Sequence, residues 1–247
     1  MNWVGWADEW FRKVGEMTEL LVADSFLVAG GKVRGLELHR ERFVGSCAAA
    51  GVAAERFWDE QIARLPGFGR WFPRFELTSA GELAVQLRPA PPIGGPVRVA
   101  VHDGPDPRTA PRVKGPDLEL LGKLKAAAPH RADEILLLDT DGTVLEAAYA
   151  AIAWWEDDTL CFPPSDRPLL PSVTAHLLRN LATTQGVQIA EHPITPTELQ
   201  STEAWLLNAL HGIRPIHAWN SSPIDPLPNS QAPHWQSHLT TLATPLP

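Results

Sequence analysis

Residues 132–146 read ADEILLLDTDGTVLE, an apolar run, an Asp-Gly pair and a second apolar run that ends on Glu146. Apolar segments joined by Asp-Gly are typical of a β-hairpin, because glycine accepts the positive φ angle of a tight turn. Lys114 precedes this unit, and a segment with a helical pattern lies between them. Taken alone, the pattern predicts a surface hairpin, so its meaning depends on the sequence around it.

The elements predicted around the hairpin mix strands and helices in an order that favours an α+β fold. The strands are predicted at 20–28, 32–36, 71–77, 82–88, 97–101, 150–155, from 160, at 187–189 and at 204–207, and the helices at 38–50, 54–65, 117–128, 173–184 and 196–199. A doubly wound sheet is not expected, since the glycine fingerprint and the phosphate-loop signature are both missing. After Trp219 the polar tail is predicted to be extended until Gln236.

A stretch rich in proline and glycine, residues 89–96 with the sequence PAPPIGGP, divides this pattern in two. Prolines remove backbone donors and glycines loosen the chain, so neither a helix nor a central strand is expected there. We therefore predict a small N-terminal α/β domain at 1–88, a linker at 89–96 and a larger C-terminal α/β domain at 97–247.

Composition predicts a globular protein without nucleic-acid or membrane partners. The 247 residues, 44% of them hydrophobic, can build the core of one large domain or two modest ones. A formal net charge of -8 argues against nucleic-acid binding, which needs a basic face. Membrane spans need about 18 consecutive apolar residues, and the chain has no such run. Residues 1–17 lack the basic start and apolar centre of a signal peptide.

The cysteines predict the cellular compartment, whereas the place of the tryptophans in the fold stays open. Cys47 and Cys161 lie far apart without a CxxC or neighbouring metal-ligand residues, which predicts free thiols, no metal site and a reducing cytoplasm. Trp154, Trp155 and Trp205 either line a pocket or fill the core, and the core is the commoner place for large apolar side chains.

Three groups of residues could carry chemistry, although each has an ordinary explanation. Lys114 lies on a loop in the sequence Arg-Val-Lys-Gly-Pro-Asp, where a lysine is usually solvated. Ser172-Val173-Thr174 begins a predicted helix, whose free amides and dipole can bind a phosphate, although serine is also a common helix cap. His39 and Arg42 lie on another predicted helix, where arginines are mostly solvated.

The order in which these groups follow one another along the chain is more informative than any one group alone. The motifs follow one another as His39-x-x-Arg42, Lys114, Glu146, Ser172-Val173-Thr174 and Asn208-Ala209-Leu210. In this order the chain resembles the fold-type IV pyridoxal-phosphate enzymes, which include branched-chain and D-amino acid aminotransferases and aminodeoxychorismate lyase. The resemblance implies the architecture of D-amino acid aminotransferase, with the cofactor in the cleft between two domains. It also implies a small amino substrate and a homodimer with its sites near the subunit contact.

The resemblance assigns roles to individual residues. Lys114 would form the Schiff base with pyridoxal 5'-phosphate, and Glu146 would face the pyridine nitrogen and keep it protonated. Arg42 would reach the cofactor phosphate. The remaining cofactor contacts implied are Val173, Thr174, Asn208 and Ala209.

Three segments depart from the family pattern. Gly115-Pro116-Asp117 replaces the usual leucine, asparagine or tyrosine run after the lysine. Ala151 stands where the family usually has an asparagine, so a polar support for the cofactor ring is missing or supplied elsewhere. Residues 23–28, with the sequence ADSFLV, replace the usual Phe-Glu-Thr-x-Arg-Val of the entrance.

The turn at Asn208-Ala209-Leu210 bears on the reaction, because aminotransferases carry Gly-Thr-Ala there and aminodeoxychorismate lyases commonly carry Asn-Ala/Ser-Leu. The resemblance therefore implies loss of pyruvate from 4-amino-4-deoxychorismate to give 4-aminobenzoate for folate. The alternatives are a class IV aminotransferase acting on branched-chain or D-amino acids, and a non-catalytic relative used as a binding module. His211 and Arg214 could bind a substrate carboxylate, unless Arg214 pairs with an acidic residue at the subunit contact.

Overall fold

In the computed structural model of the chain, residues 19–220, 222–223 and 230–247 are described. Residues 1–18, where the sequence predicts no signal peptide, lie outside these ranges, as does part of the predicted extended tail. The strands are β1 (Leu20–Ser25), β2 (Val28–Ala29), β3 (Lys32–Arg34), β4 (Arg70–Trp71), β5 (Arg74–Thr78), β6 (Leu83–Gln86), β7 (Val97–Pro105), β8 (Glu134–Leu138), β9 (Val144–Ala147), β10 (Ala151–Glu156), β11 (Thr159–Phe162), β12 (Gln188–Glu191), β13 (Glu203–Asn208), β14 (Gly212–Trp219), β15 (Ser222–Pro223) and β16 (Ala243–Pro245). The helices are α1 (Leu36–Ala49), α2 (Glu55–Ile62), α3 (Leu118–Ala126), α4 (Val173–Thr184), α5 (Pro196–Leu199) and α6 (Ala232–Thr241). Within the described ranges, none of the helices has both the length and the apolar character that crossing a bilayer requires.

A mixed sheet of nine strands forms the largest layer, in the order β12-β11-β10-β13-β14-β7-β8-β9 with β15 beside β14. The strand β7 pairs in parallel with both β14 and β8. Side chains alternate between two apolar layers, so Trp154 is buried on one face and Trp155 on the other. Trp155 and Trp205 pack against Trp235 of α6, with ring centroids 5.6 and 6.4 Å from it. These tryptophans therefore fill the core.

The hairpin predicted at 132–146 is present and forms the last two strands of the large sheet. Strands β8 and β9 pair antiparallel, with Leu137 opposite Glu146, and Gly142 in the turn has a φ of 82°. All four residues of β9 are buried, as are Glu134 to Leu137 of β8. The hairpin is thus a core element, and its final carboxylate, Glu146, is held away from solvent.

Two smaller sheets precede the large one in the chain. They have the orders β1-β5-β6 and β16-β3-β2-β4, and an aromatic cluster of Phe26, Phe43, Trp58 and Phe75 lies between them and the helices α1 and α2. Residues 90–96 form neither helix nor strand. The strand β16 crosses back from the C-terminal end to pair with β3. The domain boundaries at 88 and 97 stay a prediction.

Two parts of the C-terminal region differ from the sequence-based expectation. The expected turn after Asn208 is present at residues 209–211, but the sequence did not predict the strand β14 that follows it and contains Pro215. Pairing of β14 with β7 begins only at Ile216, so at Pro215 the strand has a partner on one side, which tolerates the missing N–H. The prediction of an extended tail to Gln236 is wrong, because α6 begins at Ala232 and buries Trp235.

Candidate active site

A cavity of about 320 Å³ gathers residues from both sides of the predicted linker. The residues singled out in the sequence that line it are Arg42, Lys114, Glu146, Ser172, Asn208, Ala209, His211 and Arg214. Val173 and Thr174 have buried side chains that do not line the cavity, although they begin α4 directly after Ser172. Trp154, Trp155 and Trp205 do not line it either.

Lys114 is fixed in the cavity wall by its backbone. Its carbonyl oxygen accepts a hydrogen bond from the N–H of Ala23 in β1, with an N–O distance of 2.6 Å. Gly115 has a φ of 151°, and a Cβ on it would lie 2.7 Å from the carbonyl oxygen of Leu21. Two backbones this close require glycine, which gives the departure from the family sequence after the lysine a physical reason.

The environment of Lys114 favours its neutral form. Burial and then the nearby Arg42 guanidinium lower the pKa of the Lys114 amine, against the opposing charge of Asp24, and the resulting pKa is about 8. At pH 7 roughly a tenth of the amine is therefore unprotonated, far more than for a free lysine with a pKa near 10.4. A neutral amine is a nucleophile that condenses with an aldehyde, and it can also accept a proton.

Glu146 is clamped by Arg108, a residue that the sequence did not single out. Both hydrogen bonds to Glu146 end on Oε1, one from Arg108 Nη1 at 2.7 Å and one from the N–H of Leu170 at 2.9 Å. Across the described part of the chain, Oε2 has no hydrogen-bond partner. Arg108 also binds Asp106 through Nε and Nη2, and Asp106-Pro107-Arg108 carries no sequence signal beyond that of a loop.

The charges around Glu146 do not balance. Arg108, Asp106 and Glu146 are at most 9% exposed, and together they carry one excess negative charge when ionised. Burial raises the pKa of Glu146, although Arg108 opposes this. The arrangement therefore favours a cationic group at the unpaired oxygen.

Arg42 is oriented by a buried carboxylate from the altered entrance segment. Its Nε and Nη2 donate to the two oxygens of Asp24 at 2.8 and 2.9 Å. His39 Nδ1 lies 2.8 Å from Asp24 Oδ1. Burial alone would raise the pKa of Asp24, but Arg42 and His39 hold it below its usual range. Burial lowers the pKa of His39, so a neutral ring donating its Nδ1 proton to Asp24 fits this site.

Arg42 also reaches the beginning of α4. Its Nη1 donates to the carbonyl oxygen of Pro171 at 2.9 Å, and Ser172 caps the helix by accepting from the N–H of Ala175. A guanidinium has five N–H groups, so two of them remain for another acceptor. The amides of the first helical turn have no partner within the helix. The structure thus brings a cation to a helix start, even though 129 residues separate Arg42 from Pro171.

The turn after β13 forms another part of the wall, and the predicted linker is hydrogen-bonded to the residues of this wall. Asn208 Oδ1 accepts from the N–H of His211 at 2.8 Å, and His211 Nδ1 accepts from the N–H of Gly94 at 3.1 Å. Arg214 Nε donates to the carbonyl oxygen of Gly95 at 2.8 Å. Burial, with the charge of Arg214, lowers the pKa of His211 to about 4, so its ring is neutral at pH 7.

The cavity concentrates positive charge in an acidic chain. Its basic residues are Arg42, Arg74, Arg88, Arg108, Lys114, Lys125 and Arg214, and its acidic residues are Asp117, Glu134 and Glu146. Seven cations face three carboxylates in the lining, but Asp24, Glu76 and Asp106 pair with Arg42, Arg74 and Arg108 from behind the wall, which leaves an excess of one positive charge. Sequence reasoning missed Arg74, Arg88 and Lys125, because only the fold brings them to the cavity.

Comparison with known families and solved structures identifies the family of this chain. The model of the family described as amino-transferase class IV matches residues 21–219. Comparison with curated protein sequences finds no match. A branched-chain aminotransferase from Thermoproteus uzoniensis, solved with norvaline, is 19% identical with a TM-score of 0.74, covering 92% of this chain and 90% of that one.

Two further structures show the same fold. A Legionella pneumophila protein described as a 4-amino-4-deoxychorismate lyase is 17% identical, with a TM-score of 0.75 and 92% of each chain covered. A hypothetical aminotransferase from Mycobacterium tuberculosis in its PLP-bound form is 18% identical, with a TM-score of 0.73, covering 94% of this chain and 90% of that one. The predicted α+β fold of type IV is confirmed. Because the family match spans residues 21–219, well over half of the sequence, the chain belongs to the class IV aminotransferases, a family of pyridoxal-phosphate-dependent enzymes.

Proposed function

We propose that this enzyme is a lyase of the aminodeoxychorismate type, which releases pyruvate from 4-amino-4-deoxychorismate and leaves 4-aminobenzoate for folate synthesis. The observation that carries the proposal is that two guanidinium groups of the cavity lining, those of Arg88 and Arg214, donate to neutral oxygens and form no ion pair within the described part of the chain. The cofactor phosphate and the two carboxylates of this substrate together present three anionic groups. A branched-chain amino acid would present an apolar side chain instead, which gains nothing from additional guanidinium groups.

The residues present fit pyridoxal phosphate. Lys114 would hold its aldehyde carbon, and Glu146 Oε2 would accept the N–H of the protonated pyridine ring, whose charge balances the excess beside Arg108. Arg42 would bind the phosphate, aided by the amides of Val173 and Thr174. Asn208 and Ala209 complete the proposed set. When bound, the cofactor supplies an electron sink for the bond that breaks at the substrate carbon.

Lys114 would also accept and release protons during the reaction. With a pKa of about 8, its Nζ can accept a proton from the substrate ring carbon and release it again near neutral pH. In the lyase reaction the ring loses a C–H proton and the C–O bond to the enolpyruvyl group, and it becomes aromatic. The departing group gains one proton at its methylene carbon and becomes pyruvate, so the protons balance.

Two groups of cations are candidates for the two substrate carboxylates. Arg88 lies just after β6, and its Nη2 is 3.4 Å from Ser25 Oγ. Burial lowers the pKa of Arg88, and the charge of Arg74 at the start of β5 acts in the same direction. Arg74 is already paired with Glu76 Oε1 at 2.7 Å, so Arg88 is the guanidinium of this group that remains for an anion. Arg214 and Lys125 form the second group, beside the neutral His211.

A class IV aminotransferase is the second candidate, and the basic cavity favours an acidic D-amino acid over a branched-chain one as its substrate. A non-catalytic binding module is less well supported, because Lys114 and Glu146 both line the cavity. We also propose a cytoplasmic homodimer. The family resemblance supports the dimer, and the two free, buried cysteines suit a reducing compartment.

The test begins with the visible absorption of the protein after pyridoxal phosphate is added and the excess removed. The wild type should retain the band of the bound cofactor, and Lys114→Ala should lose it. Lys123→Ala is the matched control, because Lys123 is an exposed lysine on α3, and this variant should also retain the band. The loaded enzyme is then given 4-amino-4-deoxychorismate, and 4-aminobenzoate is measured by its fluorescence. A 2-oxo acid formed from amino acids without any 4-aminobenzoate would favour the aminotransferase, and no retained band would contradict both.

A further inference from the structure

We propose that Glu156, Cys161 and His192 form a binding site for a divalent cation of the zinc class, outside the cavity described above. One ligand atom from each side chain lies within 4.8 Å of the others. Sequence analysis expected no such site, because the three residues are spread over 37 positions without a metal-ligand spacing. The proposal does not depend on the reaction that the enzyme catalyses.

The pairing of the sheet places the three side chains on one face. Cys161 of β11 lies opposite Trp154 of β10 and beside Ala190 of β12. Glu156 follows Trp154 by two residues, and His192 follows Ala190 by two. Because side chains alternate along a strand, all three point to the same side of the sheet at its edge.

The distances suit a tetrahedral site. His192 Nε2 and Glu156 Oε2 are 3.2 Å apart. Zinc bonds of 2.0–2.1 Å to nitrogen and oxygen and 2.3 Å to sulfur imply about 3.3 Å between N and O ligands and about 3.5 Å from the sulfur to either. The sulfur of Cys161 therefore has to approach by at most about 1.3 Å, which a side-chain adjustment can supply.

His192 has hydrogen-bond acceptors at both ring nitrogens. Its Nδ1 lies 3.2 Å from the carbonyl oxygen of Pro193, and its Nε2 lies 3.2 Å from Glu156 Oε2. A neutral imidazole has one N–H and cannot satisfy both. If Nδ1 donates to Pro193, the lone pair of Nε2 points into the cluster, which is the orientation that metal-bound histidines adopt. Either a proton on Nε2, which gives a simple ion pair with Glu156, or a metal cation between Nε2 and the carboxylate then satisfies both groups.

The other two ligands are also arranged for a cation. Glu156 Oε1 accepts the indole N–H of Trp154 at 2.8 Å, which leaves Oε2 for the cluster. A dication bound by one thiolate and one carboxylate gives a neutral site. The thiolate selects zinc-like metals over magnesium or calcium, which prefer oxygen ligands.

The site would join the β10–β11 hairpin to the chain leaving β12, and so brace the sheet at this edge. Cys161 is fully buried, whereas the His192 and Glu156 side chains are 36% and 43% exposed. Metal can therefore enter from solvent, and a water molecule can fill the fourth position.

Cobalt(II) titration of the full-length protein tests the site, because thiolate coordination gives a charge-transfer band and tetrahedral geometry gives strong visible bands. One equivalent should produce both, and zinc should displace it. Cys161→Ser should abolish the charge-transfer band and weaken binding by more than about 100-fold, since even outer-shell changes cost 10–100-fold. Cys47→Ser, which alters the other buried thiol, is the matched control and should bind normally.

A second measurement keeps the proposal testable if Cys161→Ser does not fold. Zinc at 100-fold above its Kd should raise the Tm of the wild type by about 5–10 °C, and His192→Gln should show no such rise. Cobalt spectra without a thiolate band would place the metal elsewhere, for example on the neighbouring His234 and His238 of α6, whose rings lie edge to face, and would overturn the proposal. Absence of binding would overturn it as well, leaving His192 and Glu156 as a simple ion pair.

Discussion

Replacing Arg108 with methionine removes a cation that contacts two buried carboxylates, Asp106 and Glu146, and should be costly for stability. Arg108 donates to both oxygens of Asp106 and to Oε1 of Glu146, over distances of 2.7–3.0 Å. Methionine keeps much of the side-chain volume, so the change isolates the loss of charge and hydrogen bonds. Breaking a buried ion pair by removing one partner costs about 3–5 kcal/mol in the free energy of unfolding. For a chain of this length that corresponds to a decrease in Tm of about 6–20 °C.

The loss of stability in Arg108→Met should depend on pH, and the protonation of Glu146 determines whether this loss grows or shrinks as the pH rises. Burial already raises the pKa of Glu146 above 4.5, and removing Arg108 raises it further. A carboxyl group with a raised folded pKa adds stability below its unfolded pKa and loses this contribution as the pH rises through the folded value. The deficit of Arg108→Met should therefore be small near pH 4.5 and grow by up to about 1.4 kcal/mol per pH unit above it.

Denaturant unfolding of the wild type and the variant at pH 5 and pH 8 measures both effects. Arg112→Met is the matched control, because Arg112 donates to the backbone carbonyl oxygens of Asp166 and Arg167 and contacts no carboxylate. Its deficit should be about 1 kcal/mol or less and the same at both pH values. The reasoning would be refuted if Arg108→Met lost equal stability at both pH values, or no more than Arg112→Met.

Three further predictions concern the cavity. Gly115→Ala should lower the free energy of unfolding by about 1–3 kcal/mol in a denaturant titration, because Gly115 has a φ of 151° and its Cβ would meet the backbone of Leu21. The control Gly45→Ala inside α1 should be neutral or stabilising, because nothing lies within 4 Å of that Cβ. The rate at which pyridoxal phosphate reacts with Lys114 should reach half its maximum near pH 8, and Asp24→Asn should shift this midpoint downward, because Asp24 raises the Lys114 pKa. An unchanged midpoint would contradict that coupling. Arg88→Met should reduce kcat/KM for 4-amino-4-deoxychorismate by about 10–100-fold while cofactor absorption is retained, and equal loss of both would assign Arg88 a structural role.

The elements that sequence predicted best carry their own local signals. The helix α4 begins at Val173 and ends at Thr184 as expected, because Ser172 caps its start and Gly186 with a φ of 73° follows its end. The hairpin of β8 and β9 was equally clear from its Asp-Gly turn. In these cases residues close in sequence decide the structure, so a single chain is sufficient to read it.

The parts that sequence missed depend on distant neighbours. Pro215 argues against a strand unless it is known that β14 has one partner at that residue and two from Ile216 onward. Arg108 is an ordinary loop arginine until β9 brings Glu146 within 2.7 Å of it. Cys161 had no visible ligand partners because the sheet, and not the sequence, places His192 near it. Pairing between distant strands thus created most of the chemistry that local patterns could not show.

Two departures from the family sequence turn out to be one structural change. The altered entrance segment forms β1, and the backbone of Ala23 bonds directly to Lys114 while Leu21 lies against Gly115. A residue with a Cβ after the lysine would push β1 away, and Asp24 on that strand would then lose its position beside Arg42. Gly115 therefore helps to position both Lys114 and Arg42, which would contact opposite ends of the cofactor in the proposed function. The segment that seemed to lack the entrance motif still supplies a carboxylate, and it does so only because Gly115 lets β1 approach.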